Sequence, residues 1–225
     1  MDGILVVNKP SGITSHDVVD FIRRKFNIKR VGHAGTLDPL ATGVLVMLLG
    51  KATKLSNTFL NDDKEYIAKL YFGKSTDTQD SQGKALEEKN IEPIDIEDIK
   101  KTLENFKGEI EQIPPMVSAI KYKGKKLYEL ARSGKTVARE PRKIKISEIE
   151  ILDFKFPEIT FKVKCSKGTY VRTLCEDIGR SLGVPSHMSG LVRSASGDFL
   201  LENSKNMEDA DEKDIISYSS YDRHI

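Results

Sequence analysis

Apolar residues recur along the chain in two rhythms, and each rhythm predicts its own kind of element. Val18, Val19, Ile22 and Phe26 fall at helical spacing behind Thr14-Ser15-His16-Asp17, which fits the capping-box pattern, so a helix is predicted over residues 15–26. Ile96, Ile99, Leu103 and Phe106 predict a second helix over 95–106. Val171, Leu174, Ile178 and Leu182 share one face of a third helix, which Gly183 ends. Shorter helices are expected over 51–60 and 127–133. The other rhythm has period two. Tyr66, Ala68, Leu70 and Phe72 alternate, as do Ile159, Phe161, Val163 and Cys165, which predicts half-buried strands. Ile144 and Ile146 lie in one register, Ile149 and Ile151 in the other, so that strand should carry a bulge. Compact apolar runs at 5–7 and 44–49 read as buried strands, and 191–200 as a last strand. Residues 32–43, punctuated by glycine, show neither period and are expected to form a loop; 75–83 is polar and turn-rich. Strands and helices mix without a regular βαβ rhythm, which predicts an α+β domain with a largely antiparallel sheet.

Composition adds limits. The 225 residues are 38% hydrophobic and 31% charged, which suits an extensive polar surface around a sizeable core. The longest apolar run, 43–49, is too short to span a bilayer. The first residues lack the basic start and apolar stretch of a secretory signal. With only two cysteines, Cys165 and Cys175, neither a disulfide framework nor a four-ligand zinc site is expected. A cytoplasmic protein is expected. The net charge of +2 announces no nucleic-acid partner, but the charges are uneven. Residues 121–145 hold ten basic residues against two acidic ones, and 202–214 six acidic against two basic. The basic stretch is open to two readings, a solvated lysine-rich face or a footprint for phosphates.

The strongest local signal lies in His33-Ala34-Gly35-Thr36-Leu37-Asp38-Pro39. Gly35 permits a tight turn, and Pro39 holds Asp38 away from helical geometry. A short carboxylate on a stiff loop ahead of a buried strand suits nucleophilic work. On spacing alone, however, an Asp-Pro turn is the commoner outcome. The same holds elsewhere. Tyr66 reads from periodicity as a core residue, His33 as a hydrogen-bonded structural histidine, and Arg172 as a partner for Glu176 one turn on. Asp77 and Asp80 have no third ligand set for a metal, and a turn or hydrogen-bonded network fits them better. No phosphate cradle, nicotinamide fingerprint or cysteine cluster occurs, so no cofactor is expected.

Residues 33–45 (His33-Ala34-Gly35-Thr36-Leu37-Asp38-Pro39-Leu40-Ala41-Thr42-Gly43-Val44-Leu45) closely resemble the catalytic motif of the TruB family of tRNA pseudouridine synthases. Four further segments resemble that family in the same order. They are Asn8-Lys9-Pro10-Ser11-Gly12-Ile13-Thr14-Ser15, Lys64-Glu65-Tyr66 with Thr76-Asp77-Thr78-Gln79-Asp80, Pro114-Pro115-Met116-Val117-Ser118-Ala119 with Gly124-Lys125-Lys126-Leu127-Tyr128, and Cys165 to Thr173 (Cys165-Ser166-Lys167-Gly168-Thr169-Tyr170-Val171-Arg172-Thr173).

The resemblance implies a pseudouridine synthase fold over residues 1–202, with an RNA-contacting insert at about 114–145. It implies isomerisation of uridine-55 in the T loop of tRNA by base flipping and attack of Asp38 on the sugar C1′ or the base C6. Arg172 matches the family's arginine, whose fork would orient Asp38 and keep it ionised where water is excluded. Tyr66 matches its active-site tyrosine, a ring to stack on uracil and a hydroxyl to accept the C5 proton. Tyr170 and Leu191 resemble base contacts, and His33 would fill the space the flipped base leaves. Lys9 would organise the pocket or touch RNA, unless it is structural. Bacterial members usually continue into a small domain related to the PUA module; here 203–225 is expected to be a short polar tail, with that domain absent or minimal. tRNA is the implied partner, and a monomer is expected.

Overall fold

Capping chemistry and apolar spacing set the helices, and long-range pairing sets the strands. The computed structural model describes residues 1–221. In chain order, β1 (Gly3–Lys9) leads to α1 (Ser15–Lys25), β2 (Val31–Ala34) and β3 (Thr42–Leu49); a 3-10 turn at Gly50–Leu55 continues as α2 (Ser56–Leu60), followed by β4 (Lys64–Phe72). Then come β5 (Lys74–Thr76), β6 (Ala85–Glu88), α3 (Ile96–Glu104), β7 (Gly108–Gln112), β8 (Lys121–Tyr122), β9 (Lys125–Lys126) and α4 (Leu127–Arg132). The chain ends with β10 (Arg142–Lys155), β11 (Glu158–Cys165), α5 (Val171–Ser181), β12 (Ser186–Ser196), β13 (Phe199–Leu200), β14 (Lys205–Asn206) and β15 (Ile216–Ser217). Two compact units result, one of Met1–Ile67 with the chain from Leu191 onward, the other of Ala68–Gly190.

In the first unit β3 is the organising strand, buried from Gly43 to Leu49. It pairs antiparallel with β1 and with β2, and parallel with β12 through Val192↔Thr42 and Arg193↔Gly43. Helices α1 and α2 contact β2. The core gathers Ile4, Val6, Val44, Val46 and Leu48 with Phe59 and Phe199, whose rings meet edge-on at 5.4 Å. The predicted helix over 15–26 is present, and its capping box is formed. Thr14 Oγ1 accepts from the Asp17 N–H at 3.1 Å, and the Thr14 N–H donates to Asp17 Oδ2 at 2.7 Å.

Two expectations change here. Residues 32–34, expected at the start of a loop over 32–43, belong to β2, because pairing with β3 overrides a segment too short to show a period. The polar stretch from Glu202 to Tyr221 is tied to the first unit by pairing and ring contacts: Val7 and Asn8 of β1 pair with β14, Gly3 and Ile4 with β15, and Tyr221 packs against Phe59 and Phe199.

In the second unit β10 pairs antiparallel with β11 and β7. The bulge read from the switch of register is found between Ile146 and Glu148, with a second irregularity between Ile151 and Asp153. Helix α3 contacts β10 and α5. Ile99, Leu103, Ile144, Ile146, Phe161, Val163, Leu174 and Ile178 are buried. The architecture is α+β, with mixed, largely antiparallel pairing and flanking helices, as the mixed rhythms predicted.

Candidate active site

Asp38 sits half-buried on the connection between β2 and β3, and nearly every peptide group around it is held. The Leu37 N–H donates to Ser15 Oγ at 2.9 Å, and the same hydroxyl donates to the Leu37 carbonyl at 3.1 Å. The Asp38 carbonyl accepts from the Ala41 N–H at 3.0 Å, closing the turn that Pro39 begins. The Pro39 carbonyl accepts from the Gly12 N–H at 2.8 Å and from Lys9 Nζ at 3.3 Å. Ser11 Oγ donates to the Leu40 carbonyl at 3.0 Å. The segment 8–15 is thus a clamp on the Asp38 loop, built from the end of β1 and the start of α1.

Lys9 is fully buried, and its ammonium also donates to the carbonyls of Pro10 (2.8 Å) and Ile13 (2.7 Å). That ties the turn after β1 to the loop and leaves Lys9 no face toward solvent. Burial lowers its pKa from the usual 10.5 to about 8; the Asp38 and Asp17 carboxylates pull it back up, and the Arg193 charge adds to the fall. Between those two values the unfolded chain binds the proton more strongly than the folded one. The Lys9 contribution to stability is therefore least below about pH 8 and grows as pH rises toward 10.5. Lys9→Met removes this slope. Denaturant unfolding from about pH 7.5 upward should show the wild type gaining stability relative to the variant through that window. Parallel curves would disprove the assignment.

Arg193, on β12, closes the other side of the loop. Its guanidinium is buried, donating from Nε to the Val44 carbonyl at 2.6 Å and from Nη2 to the Gly35 carbonyl at 3.1 Å. Two glycines make room for it. Gly43 has φ +103°, and a Cβ there would lie 2.3 Å from the Arg193 carbonyl oxygen; Gly35 turns at φ +88° beside the guanidinium. Burial lowers the pKa of His33, on β2, and the Arg193 charge adds to the fall, against a backbone hydrogen bond to Gly35 that raises it. The His33 Nδ1 is buried and has no hydrogen-bond partner among the described residues. Tyr66 is half-buried on β4, beside Lys64, whose ammonium caps α2 through the Phe59 and Leu60 carbonyls. Leu191, midway along β12, is buried.

In the second unit, Tyr170 and Arg172 open α5. The Tyr170 backbone is gripped by buried Gln112, which accepts from its N–H at 2.8 Å and donates to its carbonyl at 3.1 Å. Arg172 is buried and spreads its fork, Nη1 to the Thr78 carbonyl at 2.9 Å and Nη2 to the Val117 carbonyl at 2.8 Å. Buried Asp80 lies 3.9 Å from Nη1 and accepts from Thr78 Oγ1 at 2.6 Å and the Gln82 N–H at 3.0 Å. The Asp77–Asp80 segment is thus a hydrogen-bonded turn that buttresses Arg172. Gln79, with φ +64°, locks that turn to α5 by bonding Glu176 and by accepting from Thr173 Oγ1 at 2.8 Å. Glu176 also pairs with Arg180 at 3.6 Å.

Sequence comparison gives this arrangement a family. The domain described as TruB family pseudouridylate synthase (N terminal domain) matches residues 23–171, and the tRNA pseudouridylate synthase B C-terminal domain matches 172–221. The chain belongs to the TruB family of pseudouridylate synthases. The tRNA pseudouridine synthase B of Clostridium tetani is 52% identical, aligned over 97% of this chain and 75% of its own length. That of Protochlamydia amoebophila is 51% identical over 92% of this chain and 78% of its own. Among solved structures, a Cbf5-Nop10-Gar1 complex aligns with a TM-score of 0.74 at 33% identity, over 92% of this chain and 53% of that one. An H/ACA RNP bound to a substrate RNA containing 2′-deoxyuridine aligns at 0.70 and 30%, over 92% and 51%. This chain spans about half the length of those two. As a TruB-family pseudouridylate synthase it is an isomerase.

Three residues that hold the segments carrying these side chains, each within its own unit, were not singled out from sequence. Arg193 had a readable signal: it shares strand parity with Leu191, and an inward arginine on a buried strand asks for a role. Ser15 looked like part of a cap, and Gln112 carried no signal at all. Among the described residues no helix is long and apolar enough to cross a membrane.

Proposed function

We propose that this enzyme isomerises uridine-55 to pseudouridine in the T loop of tRNA, with Asp38 as nucleophile. The observation that carries the reading is the clamped Asp38 loop, in a chain about half identical to proteins named tRNA pseudouridine synthase B. The uridine leaves its stack, at a cost of ~2–4 kcal/mol, and the His33 ring takes up the vacated space. The Asp38 carboxylate bonds to the nucleotide at C1′ or C6, the N1–C1′ bond breaks, and the uracil turns. C5 then bonds to C1′ and the Asp38–nucleotide bond breaks, which returns the carboxylate; the C5 proton passes to the Tyr66 oxygen as the hydroxyl proton moves on, and N1 takes up one proton, so none is gained or lost. Every atom of the substrate is kept, so the reaction needs no second substrate and no electron carrier.

Arg172 supplies the positive charge that favours ionised Asp38, while Tyr170 and Leu191 contact the base. These roles rest on the motif match, and for Arg172 also on a fork held rigid by Thr78 and Val117. The insert at 114–145 contacts the T-arm phosphates. What supports that reading is its hairpin of β8 and β9 with α4, where Lys126 and Arg132 lie over the Tyr128 ring and Lys123 over Tyr122. Residues 1–202 carry the chemistry, and the enzyme works as a cytoplasmic monomer. Incubating it with unmodified tRNA and mapping pseudouridine tests the proposal. Conversion at position 55 is expected; tRNA binding without any pseudouridine would replace the enzyme with a binding module.

A further inference from the structure

The side-chain hydroxyl of Ser15 makes both of its hydrogen bonds to one residue, the one immediately before Asp38. Ser15 lies in the first turn of α1 but is not its cap, since Thr14 fills that role with Asp17. It is 2% exposed, and Leu37 is 3% exposed, so neither bond competes with water. A hydroxyl offers one donor and two acceptor sites, and here it both gives to the Leu37 carbonyl and takes from the Leu37 N–H. The Leu37 carbonyl belongs to the peptide that joins Leu37 to Asp38. Fixing the groups on both sides of the Leu37 α-carbon fixes the rotation of that peptide plane, and with it the direction in which the Asp38 side chain leaves the backbone. The other bonds of the clamp, from Gly12, Lys9 and Ser11, act after Asp38, on Pro39 and Leu40.

We propose that Ser15 is a positioning residue for the isomerisation, acting through Leu37 to aim the Asp38 carboxylate. The inference rests on Asp38 being the nucleophile. In Ser15→Ala the helix keeps its cap, so the fold should survive. The Leu37 peptide, buried and without its partner, then relaxes toward another donor and acceptor. A shift of the attacking atom by ~1 Å costs ~10²-fold in rate, whereas the surfaces that bind RNA are left as they were.

The test is single-turnover conversion at saturating T-loop stem, together with the Kd for that RNA and the thermal midpoint, for Ser15→Ala and Ser15→Thr. Ser15→Ala is expected to be slower by about 10- to 100-fold with Kd within about twofold, and Ser15→Thr, which keeps the hydroxyl, to recover most of the rate. A Ser15→Ala enzyme within about twofold of wild-type rate overturns the proposal, as does an equal loss in rate and affinity, or a threonine variant as slow as the alanine one. If Ser15→Ala is not recovered folded, Ser15→Cys, similar in volume and a much weaker donor, takes its place under the same criteria. Asp38→Asn is assayed alongside. If it retains turnover, the nucleophile assignment has failed; if it is inactive while Ser15→Ala is unimpaired, only the role of Ser15 has failed.

Discussion

Asp38→Asn should lower pseudouridine formation on a T-loop stem by ~10⁴-fold or more while leaving affinity for that RNA within a small factor. The expected size follows from the chemistry. An amide of the same shape cannot form the bond to the nucleotide that lets the N1–C1′ bond break and the base turn, so what is lost is a step and not a contact. The expected selectivity follows from the structure. The Asp38 loop is held through main-chain groups, by Ser15 on Leu37, Gly12 and Lys9 on Pro39, and Ser11 on Leu40. None of those bonds needs the carboxylate. One secondary effect is directional: the Asp38 charge raises the pKa of Lys9, so the asparagine variant should lower Lys9 further below its already depressed value. Single-turnover assays with filter-binding affinities check both parts. Turnover at a tenth of the wild-type rate would remove Asp38 from the mechanism.

The elements that could be read from sequence were those whose signal is local. Helix α1 has a capping box and four apolar residues on one face, and β10 announces its bulge by moving its isoleucines from one register to the other. Strand β2 could not be read. It has four residues, of which Val31 and Ala34 are buried, and it exists because β3 lies beside it. The strand expected over 191–200 begins earlier, at Ser186, because polar Ser186 and His187 are buried through bonds to the Cys175 and Lys74 carbonyls, where a hydropathy pattern sees only a polar stretch. The site divides the same way. Asp38 stands out by its glycine and proline neighbours and by a motif that four other segments support. Lys9 was visible as a residue but not as a buried one, and its three carbonyl partners come from Pro10, Ile13 and Pro39, the last 30 residues away in the chain. Long-range hydrogen bonds to main-chain groups leave no pattern in side-chain chemistry.

Arg172→Lys tests whether the proposed cation works by its charge or by its shape. Arginine here donates in two directions at once, to the Thr78 carbonyl at 2.9 Å and the Val117 carbonyl at 2.8 Å, with the Asp80 carboxylate 3.9 Å away. A lysine ammonium in the same buried position keeps the charge but is a single point. It cannot span both carbonyls, and it settles toward whichever oxygen is nearest, Asp80 included. If Arg172 holds the nucleophile ionised and aimed, the variant should lose ~10²-fold or more in single-turnover rate while RNA affinity changes by less than about fivefold. Part of the damage is structural, since one part-buried carbonyl loses its donor at a cost of ~1 kcal/mol. Thermal denaturation separates that part, because a stability loss alone lowers the folded fraction and not the rate per folded molecule. Equal losses in rate and affinity would instead make Arg172 a strut between the 78–80 turn and the Val117 segment, with no part in the chemistry.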